Sequence, residues 1–148
     1  MKKVILSLLL CTFTMLAVAQ QYVDLGLPSG TQWKKTNEAG FYTFNQALAK
    51  FGTELPTQTQ LQELVNYCEW TWTGRGYNIV GPNGQSIYLP AAGEGEINGG
   101  VNSIGEYGYY WSCKRWDANN AWYMSFGSGG NAVDHYDSSL LFSIRLIR

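Results

Sequence analysis

Charged residues are scarce in this chain. Asp, Glu, Lys and Arg make up 14% of its 148 residues, against about a quarter in an ordinary soluble domain. That shortage excludes a coiled coil, a helix bundle rich in Ala, Glu and Lys, and a charged disordered tail. There is no basic excess either: ten Lys and Arg stand against eleven Asp and Glu. The basic stripe of a nucleic-acid binder is therefore missing. Histidine occurs once and cysteine three times, without the paired spacing that a zinc site requires. Past the N-terminus no apolar run is long enough to span a membrane. What replaces charge is 17 Gly, 6 Trp, 10 Tyr and 6 Phe, a composition suited to short strands joined by many turns.

The first segment reads as an address. Met1-Lys2-Lys3 is basic, Val4 to Val18 is uncharged and apolar, and Ala17-Val18-Ala19 fits a small-x-small cleavage rule. Residues 1–19 are expected to be a cleaved signal peptide, leaving one domain over 20–148 that is secreted, periplasmic or held at the cell surface. The apolar stretch is short for a membrane anchor, and Leu10 is too large for the position before a lipidated Cys11. Loss of Lys2 and Lys3 leaves eight basic and eleven acidic residues, a net charge of −3. Cys68 and Cys113 remain, either as one disulfide permitted by an oxidising compartment or as two buried thiols.

Local patterns predict an α+β chain. Tyr22–Leu25 and Thr31–Trp33 read as strands, and Phe44–Phe51 as a short helix with Thr43 as its N-cap and Gly52 past its end. Thr57 and Gln60 form a capping box for a second helix. On it, Leu61, Leu64, Val65 and Cys68 share a narrow apolar face, with Gln62, Glu63 and Asn66 opposite. Trp70 and Trp72 then alternate with polar residues, as in a half-buried strand. Asn83-Gly84 between two apolar runs signals a hairpin, since both residues tolerate positive φ. Gly93 to Gly105 reads as a long loop too polar to bury. Tyr107–Cys113, Ala121–Phe126, Asn131–Tyr136 and Phe142–Ile147 read as strands, with a loop over Lys114–Asn120.

These residues carry a specific resemblance. Tyr22-Val23-Asp24-Leu25-Gly26-Leu27-Pro28-Ser29-Gly30-Thr31-Gln32-Trp33 resembles the opening of the Fibrobacter succinogenes major paralogous domain, a secreted domain of gut Bacteroidetes. Similar in the same order are Leu55-Pro56-Thr57, Cys68-Glu69-Trp70-Thr71-Trp72-Thr73, Gly81-Pro82-Asn83-Gly84, Leu89-Pro90-Ala91-Ala92-Gly93, Gly108-Tyr109-Tyr110-Trp111-Ser112 and the tail from Ser143. The resemblance implies a C-type-lectin-like fold, in which a sheet and two helices support long loops. It implies no agreed activity. The chain departs from the family in lacking the usual Cys after Trp33, which would be expected to pair with Cys68. Cys113 stands where Ser or Thr is usual.

No catalytic constellation is legible. His135 lies in Asp134-His135-Tyr136-Asp137, where strand alternation sends Asp134 and His135 to opposite faces; it reads as an exposed polar strand end. Glu94, Glu96 and Glu106 read as solvated loop carboxylates, although paired carboxylates could hydrolyse glycosides or bind calcium. There is no nucleophile elbow. No enzyme activity, metal or cofactor is expected. Arg145 and Arg148 read as structural, pairing with a carboxylate or capping loop carbonyls.

The expectation is instead a non-catalytic binding module for a glycan or a surface protein. Its contacts would come from late loops in which aromatic rings mix with short polar groups: Trp116, Asp117, Asn119, Asn120, Tyr123, Asn131 and Tyr136. Trp111 reads as core, and only one of Trp122 and Tyr123 can face inward. A glycan-acting enzyme using loop carboxylates and a structural piece of a surface assembly are the alternatives.

Overall fold

The computed structural model describes residues 21–148; the expected signal segment lies outside the described residues. Strand β1 (Tyr22–Asp24) pairs with β2 (Gln32–Lys34), and the chain then forms α1 (Phe44–Phe51), a short 3-10 turn and α2 (Gln58–Tyr67). Strands β3 (Glu69–Trp72), β4 (Gly76–Val80) and β5 (Ser86–Pro90) make a three-stranded sheet in that order. A small β6–β7 hairpin (Glu94–Gly95 and Val101–Asn102) follows. Then β8 (Tyr107–Arg115), β9 (Asn120–Gly127) and β10 (Gly130–Asp137) form the second three-stranded sheet, with β9 central. All these strand pairs are antiparallel. The protein is α+β, built mainly of short antiparallel strands with two helices.

Both helices start where local chemistry demands. Thr43 accepts from the Gln46 backbone N–H while the Gln46 side chain accepts from Thr43, and Thr57 and Gln60 repeat the arrangement. Each box satisfies two N–H groups that a helix start leaves open. Leu61 and Leu64 are buried against β8–β10 as the periodicity predicts. Glu63 is not on the solvent side. It is buried, and its two carboxylate oxygens accept from the Ser29 N–H at 3.1 Å and the Ser29 hydroxyl at 2.6 Å. Helical spacing ranks faces but cannot anticipate that the β1–β2 loop lies over this one.

Three further expectations need correction. The β4–β5 turn places only Gly84 at positive φ (83°), because Pro82 fixes its own φ near −65° and favours a type I turn ahead of the glycine. The Gly93–Gly105 loop is partly ordered: β6 pairs with β7, and Gly95 bridges to Leu141. The tail from Phe142 to Ile147 is buried but makes isolated bridges, not a regular strand, to Tyr42, Tyr110 and Trp33.

Two apolar clusters flank the β8–β10 sheet. One packs Leu61, Leu64, Ile79 and Leu89 with Tyr110, Met124 and Phe126; the other packs Phe44, Leu55 and Phe142 with Trp111. Cys68 lies against the first cluster and Cys113 against the second, and both are free thiols. The Cys68–Cys113 disulfide is therefore not made: the two residues pack on different sides of the sheet. Burial pushes the Cys68 thiol up to about 11, with a smaller contribution from Glu63.

Arg145 joins the tail to two other segments, the stretch from the end of β2 and strand β5. It is buried, and its guanidinium donates to Asn37 Oδ1 at 2.8 Å, to the Lys34 and Lys35 carbonyls at 3.0 and 2.9 Å, and to the Tyr88 carbonyl at 2.7 Å. Of the two structural roles expected for it, capping carbonyls is the one found. Burial pushes the group down to about 10 against an opposing pull from Tyr110, which leaves it charged at neutral pH.

Candidate functional site

The β8–β9 turn is built by its own polar groups. Trp116 and Asp117 donate their backbone N–H groups to the Asn120 carbonyl at 2.9 and 3.2 Å. The Asp117 carboxylate accepts from the N–H groups of Asn119 and Asn120 and from the Asn120 side-chain amide. These bonds, that from Asn119 foremost, hold the Asp117 carboxyl below the usual range. Asp117 and Asn120 are thus occupied as turn scaffold, whereas the sequence had offered them as ligand contacts.

What the turn presents is Trp116, 54% exposed. Its indole stacks on the His135 imidazole with centroids 4.1 Å apart and planes 6° from parallel. Trp122 stands edge-on to both, at 5.4 Å from Trp116 and 5.2 Å from His135. Trp122 and His135 are direct cross-strand partners, so their side chains lie on one face of the sheet. The Asp134 carboxylate accepts from the His135 backbone N–H at 2.7 Å and lies 4.0 Å from its Nε2. His135 is a half-buried support for Trp116, not a free polar strand end.

The pleat divides the other expected contacts. Tyr123 opposes Asp134, and Tyr136 opposes Ala121; all four lie on the face away from Trp122. Asn131 opposes Phe126 and shares the face of His135, but sits about 13 Å along β10 from it at strand rise. Asn119 stays beside Trp116 in the turn. The structure therefore brings together Trp116, Asn119 and the scaffold pair Asp117 and Asn120, and separates Tyr123, Tyr136 and Asn131 from them. Nothing in the sequence reading joins Trp122 and His135 to Trp116. Counting register outward from the Gly127–Gly130 turn would have paired them.

Two open depressions border the opposite face. One, of about 860 Å³, is lined by Trp72, Glu106, Tyr107, Tyr109 and the small residues Ser125, Gly127 and Ala132. The other, of about 540 Å³, is lined by Glu94, Glu96, Asn98 and Leu141. Burial, and after it the charge of Glu96, raises the Glu94 carboxyl above its ordinary value. Among the described residues, no three His, Cys, Asp or Glu side chains are grouped to hold a metal ion, and no helix is long and apolar enough to cross a membrane.

Fold and surface together define a small α+β domain whose paired-strand tip carries an exposed aromatic stack. Residues 65–147, from the second half of α2 through the tail, match the family described as a domain of unknown function (DUF8237), and the chain belongs to that family. No curated protein and no solved structure matches the chain.

Proposed function

We propose that this protein is a secreted or surface-exposed, non-catalytic binding module that takes the apolar face of a sugar ring on Trp116. The observation that carries this reading is the stacked pair: His135 occupies one face of the Trp116 indole at 4.1 Å, while 54% of the residue remains open. Trp122 blocks lateral movement. A ring held in this way loses little freedom when a ligand lands on it, so most of the contact area is available as affinity. Asn119 and the turn backbone supply hydrogen-bonding groups beside it. The C-type-lectin-like architecture, and kinship with the Fibrobacter succinogenes major paralogous domain, belong to the same proposal; short antiparallel strands and two helices support them.

The test is a glycan array probed with the purified protein, with calcium and with chelator. A calcium-independent hit should be lost in Trp116→Ala and weakened in His135→Ala, while both variants keep the thermal midpoint within a few degrees. Retention of the hit in folded Trp116→Ala would overturn the reading, and so would the absence of any hit.

A further inference from the structure

The opposite face of the same sheet forms a second surface, independent of Trp116. Tyr107 stacks on Tyr109 at 6.2 Å, and Tyr109 stacks on the buried Phe142 at 5.0 Å. Across the strands, Tyr109 faces Ser125, which faces Ala132. These small side chains leave a shallow floor beside the tyrosines, while Gly127 is buried under the Tyr107 ring. Tyr107 is 47% exposed and Tyr136, further along β10, 58%. The hydroxyls of Tyr42, Tyr77 and Tyr110 donate to backbone carbonyls, whereas those of Tyr107, Tyr109 and Tyr136 bond to no described residue.

The charge around this floor has one sign. Glu106 lines it, and Glu94, which lines the second depression, is near enough for its charge to act on Tyr109. Burial raises the Tyr109 and Tyr123 phenols, and the charge of Glu94 adds to both, with that of Asp134 adding to Tyr123. No Lys or Arg lines either depression. Among the described residues Glu94 and Glu106 have no ion-pair partner. Ring faces attract cations through their quadrupoles, and carboxylates at the rim reinforce that attraction while repelling anionic chains.

We infer that this acidic tyrosine face binds an extended segment of a partner protein that presents lysine or arginine side chains, laid across Ser125 and Ala132 between Tyr107 and Tyr136. The open floor suits a chain better than a single small molecule, and the rim supplies the complementary charge.

Fluorescence anisotropy decides the matter with a short labelled peptide alternating lysine with glycine, its fully acetylated counterpart, and the purified protein. The unmodified peptide should bind, and acetylation should weaken it by about tenfold, since it removes both the charge and the cation–π partner. Tyr107→Ser and Tyr136→Ser should each weaken binding by about threefold, and Glu94→Gln combined with Glu106→Gln by more. Near-UV circular dichroism establishes that each variant is folded. Equal binding of the acetylated peptide would overturn the inference, as would failure of the unmodified peptide to bind. Sensitivity to the carboxylate variants with none to the tyrosine variants would also overturn it, reducing the effect to bulk charge. Displacement of the peptide by neutral oligosaccharides would assign the face to glycans instead.

Discussion

The indole of Trp116 lies flat on the imidazole of His135, 4.1 Å away and 6° from parallel. Nineteen positions separate the two residues in sequence, and the pair forms because β9 folds back on β10 in a register that sets Trp122 opposite His135. The turn between β8 and β9, fastened by Asp117, then lays Trp116 over them.

Trp116 and Trp111 should separate surface from core. Trp111 is fully buried and donates its Nε1–H to the Tyr42 carbonyl at 2.8 Å. Trp111→Ala should cost about 3–5 kcal/mol, whereas Trp116→Ala, which gives up stacking alone, should cost about 1 kcal/mol. Urea denaturation of both variants measures the difference. Equal losses would make Trp116 a packing residue.

Arg145 should be intolerant of substitution, including by lysine. Its planar fork reaches three backbone carbonyls and the Asn37 amide oxygen at once, a geometry that an ammonium cannot reproduce. Arg145→Met should destabilise by about 3–5 kcal/mol, because buried acceptors lose their donors. Arg145→Lys should recover less than half of that, read from the urea midpoint.

Cys68 should be slow to alkylate and should contribute to alkaline unfolding. With the thiol raised from 9.0 to about 11 by burial, its thiolate fraction at pH 8 falls by about 100-fold, and the rate falls with it. Iodoacetamide labelling followed by peptide mass spectrometry should show a pH profile for Cys68 with its midpoint near 11. Because the folded value lies above the unfolded one, the contribution to stability is fully present below pH 9 and is lost as pH rises from 9 to 11. Cys68→Ala should remove that part of the alkaline slope.

Local chemistry was legible in advance. The capping box at Thr57 and Gln60, the Trp70 and Trp72 alternation and the burial of Trp111 each depend on residues a few positions apart, and the structure keeps them all. Glu63 was misread because its partner, Ser29, is 34 residues away. The disulfide was open to doubt for the same kind of reason: nothing local shows which side of the sheet a cysteine will occupy.

The residues expected to bind divide along the same line. An α+β chain of short strands, an aromatic-rich late region and an exposed Trp116 in a polar turn can all be read from the residues alone. That Asp117 and Asn120 are scaffold, that His135 supports Trp116, and that Tyr123 and Tyr136 face the other way emerges only once the strands are paired. The two-residue period of the pleat explains the division: neighbours in sequence are sent to opposite faces, and strand register, set by contacts across the sheet, chooses which distant residues meet.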